Sequence, residues 1–355
     1  MTVFVVLAAL FGLACAGPRP RTPVVPPYSS APPASSLGPV FGISTVPRLV
    51  PPPGPQDYLD AVEAVRTSGA RGAFESASWS ELSTPAGLTK LTDALTSAQQ
   101  RYDVVLLTLK VLDTNNRTTP PDLASLAFDA PEIERRFHAL LDTLKPHLGP
   151  RVRYLSIGNE VDVYLAANPK TFDAYARFYA DAVSYVHATL PGVSVGVTAT
   201  FEGSRSGFAA KMAQLNRSSD VVVMTYYPLG PRFVPRPPST AKPDIAQMLS
   251  ISAGRPLVLQ EVGYPSATRL SSSEGTQGEF AAQVMAAWHA AGPQIPLLNW
   301  FALGDLTTEV CDTFTHYYAL PGDANFAAYL CSLGLRRVDG VPKASWQAFL
   351  TAART

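Results

Sequence analysis

Histidine, charge and long apolar runs are all scarce in this chain, and each scarcity removes a class of function. The five histidines among 355 residues are scattered, and no HExxH or Cys/His cluster marks a zinc site. Charged residues make up only 16%, with 28 Lys plus Arg against 28 Asp plus Glu. The basic excess that nucleic acid or an anionic membrane surface would demand is therefore missing, and a neutral polymer is the more natural ligand. The sequence holds no GxxxxGK phosphate loop, no GxGxxG fingerprint and no GxSxG elbow. No metal or organic cofactor is implied.

What is present begins with one apolar run, MTVFVVLAALFGLACA, ending in small residues. It is too short to span a bilayer comfortably and reads as an export signal over 1–16. Two processing outcomes stay open. Ala14-Cys15-Ala16 fits cleavage, releasing a secreted protein, whereas Gly12-Leu13-Ala14-Cys15 suits lipidation of Cys15, tethering a lipoprotein to a bacterial envelope. Residues 17–38 are rich in Pro and Ser and cannot bury a core, so they read as a spacer. Beyond Cys15 two cysteines remain, Cys311 and Cys331, and in an oxidising compartment their expected state is a disulfide.

From residue 39 to 355 short apolar runs alternate with helical patterns, the mark of a parallel sheet with crossover helices. Strands are predicted at 39–45, 70–76, 102–110, 152–158, 193–200, 220–227, 256–262 and 295–303. Eight strands in strict alternation with helices predict an α/β fold closed as a (β/α)₈ barrel, one domain and a monomer.

Such barrels build their sites at the C-terminal ends of the strands. The fourth predicted strand ends SIGNEVD, placing Asn159 and Glu160 at the rim, and the seventh ends LQEVGYP, placing Glu261 there. The sixth ends MTYYP with Tyr226 and Tyr227, and the eighth ends LLNWFALGD with Asn299 and Trp300. One glutamate at a strand end is most simply a cap or ion-pair residue. Two at one mouth, with an amide and aromatic rings, form the set a retaining glycosidase requires: a nucleophilic carboxylate and a proton-carrying carboxyl across the scissile bond. Tyr226 and Tyr227 alternate across their strand, so one faces the barrel and the other packs outward.

Asn159-Glu160, Glu261 and Trp300 on these strands resemble the large clan of retaining glycoside hydrolases with a (β/α)₈ barrel. The strings TYYP (225–228) and EVGYP (261–265) are most similar to its endo-β-1,4-galactanase family. The resemblance implies Glu160 as acid/base, Glu261 as nucleophile, Asn159 on the sugar 2-hydroxyl, Trp300 as the floor under the attacked sugar, and Tyr226 or Tyr227, with Tyr227 favoured, as the tyrosine touching the nucleophile. It further implies a carbohydrate partner and no nucleic acid. The chain departs from the clan at strand two, whose Arg71 stands at the start rather than the end, and at strand three, where Lys110 and the stretch 113–116 replace a histidine.

Overall fold

A computed structural model describes residues 38–354. The export-signal segment, Cys15 and the spacer up to residue 37 lie outside the described residues. The strands are β1 (Val40–Ile43), β2 (Gly72–Ser78), β3 (Val104–Asp113), β4 (Asn116–Arg117), β5 (Val152–Asn159), β6 (Ser194–Gly196), β7 (Thr198–Thr200), β8 (Val222–Tyr226), β9 (Leu257–Val262) and β10 (Leu297–Trp300). Their order is β6-β5-β3-β2-β1-β10-β9-β8-β7, with β4 a short antiparallel partner of β3. Only Val197 separates β6 from β7, so the path begins and ends on one stretch of chain. Nine parallel segments thus make the nearly closed barrel expected of a single-domain (β/α)₈ fold, the predicted fifth strand being β6 and β7 together.

Alternation along each strand sorts side chains into two layers. Val40, Val104, Leu106, Val223, Val258 and Leu297 plug the barrel's lower interior. Leu107, Leu109, Leu155, Ile157, Met224 and Leu259 point outward into the main apolar layer beneath the helices. Helix Pro131–Leu144 shows how that layer is completed: Ile133, Phe137, Leu140, Leu141 and Leu144 fall on one face and are all buried.

After β10 the chain does not go directly to its last helix. It forms helices Thr308–Tyr317 and Ala324–Leu330, which were not foreseen as helices, and these carry a separate apolar cluster above the rim. Cys311 and Cys331 are bonded to each other across this excursion. Asn115 Nδ2 donates to the Tyr318 carbonyl at 2.9 Å and Asn116 Nδ2 to the Tyr317 carbonyl at 3.1 Å, latching the excursion onto the β3–β4 turn. At its far side Lys343 Nζ reaches Asp305 at 2.7 Å, and burial pushes the Asp305 carboxyl up to about 6 against the pull of that lysine.

Closing the 20-residue loop constrains the unfolded chain, so the Cys311→Ala/Cys331→Ala variant should lose roughly 3 kcal/mol of stability. Urea unfolding with and without reductant checks this; a reduced protein as stable as the oxidised one would refute it.

Candidate active site

Two backbone irregularities bring the glutamates to one mouth. In β9, Leu259 pairs with Met224 and Leu298, but Glu261 pairs with Thr225 and Val262 with Trp300. That extra residue is a bulge, and it breaks the alternation that would send Glu261 outward with Leu259. Gln260 and Glu261 both face the interior as a result, and Val262 returns to the outer layer. At the end of β5, Gly158 has φ 99° and Glu160 φ 46°, ψ 44°. A Cβ at residue 158 would lie 2.4 Å from Val161 Cγ1 and 2.5 Å from the Tyr175 hydroxyl, so glycine is demanded by space as well as by angle. Glu160 carries a left-handed backbone without that freedom, and strain of this kind gathers at functional positions.

Both oxygens of Glu160 accept hydrogen bonds, Oε1 from Thr225 Oγ1 at 2.7 Å and Oε2 from Thr114 Oγ1 at 2.8 Å. Those donors favour the ionised form. Burial opposes them more strongly, and the negative charge of Glu261 adds to it, so the Glu160 carboxyl is pushed up to about 8. Glu160 therefore holds its proton at neutral pH. Burial also raises Glu261, but the Tyr227 hydroxyl donating to Oε2 at 2.6 Å, Gln260 Nε2 donating to Oε1 at 3.3 Å, and the charge of Lys110 all act to keep it ionised. Burial prevails at both carboxyls, so both are raised, but Glu261 has more partners opposing the rise than Glu160.

Behind them lies a buried polar network that the sequence did not single out. Gln260 Oε1 accepts from Thr108 Oγ1 at 2.6 Å and Thr198 Oγ1 at 2.7 Å, while its Nε2 donates to Asn159 Oδ1 at 2.7 Å. Asn159 Nδ2 in turn donates to Asp113 Oδ1 at 2.9 Å. Asp113 also takes Lys110 Nζ at 3.0 Å and the Tyr317 hydroxyl at 2.8 Å. Burial works to raise Asp113, yet Lys110 and these donors overcome it and hold the carboxyl below its usual range. Thr225 was findable, since it stands two residues before Tyr227 on one strand face. Gln260 was not, because it enters the interior beside Glu261 only through the bulge.

Of the expected site residues, Asn159, Glu160, Tyr227 and Glu261 are brought together around one cavity of about 530 Å³. Tyr226 and Trp300 are not. Tyr226 is fully buried on the outer face of β8, its ring against Phe201 and Phe280 and its hydroxyl donating to Asp244 Oδ2 at 2.8 Å. Trp300 is likewise fully buried, packed between Phe280 and Phe349 of the surrounding helices. The reason is the two-residue repeat: Asn299 faces inward, Trp300 outward, and Phe301 inward again, so it is Phe301 that lines the cavity. Trp300 therefore lies away from the cavity and its neighbour Phe301 borders it.

The cavity has two unlike flanks. One, at β2, β3 and helix Pro85–Arg101, carries Glu75, Glu81, Lys90, Lys110 and Asn115. The other, at the excursion and the loop after β8, is built from Phe233, Phe314, Tyr318, Phe326, Tyr329 and Leu330.

The architecture has counterparts among solved structures. Exo-β-1,4-mannosidase Op5Man5 from Opitutaceae bacterium strain TAV5 superposes with a TM-score of 0.67 at 16% identity, over 90% of this chain and 59% of that one. A GH5_18 variant from Streptomyces cattleya, in complex with Manβ1-4GlcNAc, gives 0.66 at 16% identity, over 89% and 80% of the two chains. The β-glucosidase from Thermotoga maritima in complex with castanospermine gives 0.57 at 13% identity, over 83% and 86%. This chain spans 59% of the length of the mannosidase. No family profile matches the chain, and no curated protein matches it in sequence. At these identities the likeness establishes the fold.

Proposed function

We propose that this protein is a retaining glycoside hydrolase acting on a β-linked oligosaccharide or polysaccharide, with Glu261 as nucleophile and Glu160 as acid/base. The observation that carries the reading is the pair itself: one buried carboxyl pushed up to about 8, and a second whose rise on burial is opposed by Tyr227, Gln260 and Lys110, at the C-terminal mouth of one barrel. In the first step a Glu261 oxygen attacks the anomeric carbon while Glu160 gives its proton to the departing glycosidic oxygen. In the second, Glu160 takes a proton from water, which attacks the same carbon and releases Glu261, so the configuration is retained. Asn159, held by Gln260 and Asp113, presents a fixed amide towards the sugar, and Phe301 offers a ring to its C–H face.

A close variant is transglycosylation, in which a second sugar replaces water. The apolar flank of Phe233, Phe314, Phe326 and Tyr329 favours it, because such a wall sheds water and holds an acceptor. The sugar and linkage, including the β-1,4-galactan that the TYYP and EVGYP strings suggest, are for a substrate panel to assign. The reading extends to an exported monomer, secreted or tethered through Cys15 to a bacterial envelope, in keeping with the apolar start of the sequence and the bonded cysteines.

The direct test is hydrolysis of β-linked polysaccharides and aryl glycosides by the purified protein beside Glu160→Gln and Glu261→Gln. Each variant should lose roughly 10³-fold or more in kcat on a substrate the parent cleaves. A parent that binds a glycan and cleaves none, or variants as active as the parent, would leave a carbohydrate-binding protein in place of an enzyme.

Because the acid must be protonated, activity should fall as pH rises through about 8, the value burial and Glu261 impose on Glu160. The same shift acts on stability. A carboxyl raised in the folded state contributes fully below its ordinary value near 4.5, and that contribution is lost as pH climbs to about 8. Glu160→Gln should therefore raise the melting temperature at pH 8 and leave it little changed at pH 4. Equal effects at both pH values would contradict the assignment.

Gly263 keeps Tyr227 against Glu261: a Cβ there would lie 2.6 Å from Tyr227 Cε1 and 2.9 Å from the Phe301 carbonyl oxygen. Gly263→Ala should displace the tyrosine and lower kcat by about tenfold to a hundredfold with the fold intact, measured beside Tyr227→Phe. Full activity in Gly263→Ala would show that the Tyr227 contact is dispensable.

A further inference from the structure

The catalytic reading leaves Glu75, Glu81 and Glu202 of the cavity unused; Glu81 bonds to Ser78 and Glu202 to Arg205 and Arg236, which leaves Glu75 to explain. Glu75 sits in the middle of β2 and points to the outer face, between Ala73 and Ala77, where its neighbours belong to the apolar layer under the helices. Among the described residues it makes no hydrogen bond and no ion pair. Burial pushes its carboxyl up to about 8, opposed only by the distant charge of Arg101, whose own Nη1 donates to Ser97 Oγ. Glu75 is half-buried and borders the cavity, so its carboxyl is open to whatever the cavity holds.

The cavity reaches Glu75 because the barrel is open along one seam. Strand β1 follows β10 over all four of its residues, and β2 follows β3 from Gly72 to Ser78, but β1 and β2 pair only at Gly42 and Gly72. Above that point the edge of β2 is unpaired by β1. Phe74, Glu75, Ser76 and Ala77 are all half-buried there, whereas the β3 residues opposite them, Leu106, Leu107, Thr108 and Leu109, are fully buried. The same cavity touches Phe74 and Ser76 on the inner face of β2 and Glu75 on the outer face, and it continues to Lys90, Leu91 and Ala94 of helix Pro85–Arg101. A ring, a carboxyl, a hydroxyl and an ammonium around a small apolar floor are groups suited to hold a sugar.

We infer that this side arm is an accessory subsite that takes a branching sugar of the substrate, with Glu75 hydrogen-bonding its hydroxyls. The inference rests on the carbohydrate reading of the main site and narrows it to a substituted β-glycan. A linear chain lying across the mouth leaves the arm empty; a single sugar appended to the unit at the β2 side enters the seam. In its neutral form the Glu75 carboxyl both donates and accepts, which matches a pair of sugar hydroxyls.

Calorimetric titration on the Glu160→Gln/Glu261→Gln background, where nothing is cleaved, tests this with two matched pairs: mannopentaose against galactosyl-mannopentaose, and cellotetraose against the xyloglucan heptasaccharide. One branched member should bind about tenfold tighter than its linear partner, and Glu75→Ala should reduce that ratio to within about twofold. Ala94→Phe, which fills the arm from the helix side and spares Glu75, should do the same. Damage to the fold would weaken linear and branched ligands alike and leave the ratio unmoved. Equal binding of both members in each pair, or a branched preference that survives both variants, overturns the subsite. Absence of binding by all four overturns the subsite, and the carbohydrate reading is then decided separately by the hydrolysis panel. A branched preference that depends on Glu75 in a protein whose parent hydrolyses nothing keeps the subsite and sinks only the catalytic assignment.

Discussion

The buried amide of Gln260 is the contact on which the mouth of this barrel depends. Its carbonyl oxygen takes hydroxyls from Thr108 on β3 and Thr198 on β7, and its nitrogen reaches Asn159 on β5 and Glu261 on its own strand. Four strands are thus referred to one fully buried group in a space where water cannot substitute for a missing partner. Removing it would strand several polar atoms, each at about 1–3 kcal/mol. An amide can do this and a carboxylate or an aliphatic side chain cannot, because the position must donate on one side and accept on the other. The β9 bulge that turns Gln260 and Glu261 to the same side is therefore the structural condition for the whole arrangement.

Charge is distributed around that amide so that each acid has its own task. Asp113 stays ionised because Lys110, Asn159 and Tyr317 converge on it, and an ionised Asp113 fixes the Asn159 amide with its nitrogen towards β3. Lys110 is also close enough to Glu261 to favour its ionised form, whereas Glu160 feels Glu261 without a compensating cation. What opposes the rise at Glu261 is first the Tyr227 hydroxyl, then the Gln260 amide and then the charge of Lys110, and none of the three does the same for Glu160. The departure at strand three matters because the chain carries a Lys–Asp pair there and builds its electrostatics on it.

How much of this was readable in advance divides along physical lines. The barrel and Glu160, Glu261, Asn159 and Tyr227 as rim residues were legible, because the ends of strands are a local property of sequence. Reading Tyr226 and Trp300 as substrate contacts failed by the rule of two-residue alternation applied one residue out of phase: on an uninterrupted strand, an inward Thr225 and Asn299 put their successors outside. Glu261 escapes that rule only because of the bulge, and no run of letters announces a bulge. The Asp113–Tyr317 contact joins residues 204 apart in sequence, across an excursion whose helices had no place in the repeating pattern.

That excursion gives the cleft its asymmetry. A bare barrel mouth would be polar all round, since loop residues and strand-end carboxyls dominate it. Here the disulfide-tied helices after β10 lean a set of aromatic rings over one side, while the seam between β1 and β2 leaves the opposite side open and polar. The two features are coupled through Tyr317, which belongs to the apolar excursion yet places its hydroxyl on Asp113 in the polar network. Whatever fixes the excursion therefore also fixes the Asp113–Asn159 arm beside Glu160 and Glu261. The outer wall and the polar centre are not independent in this fold, because one tyrosine belongs to both.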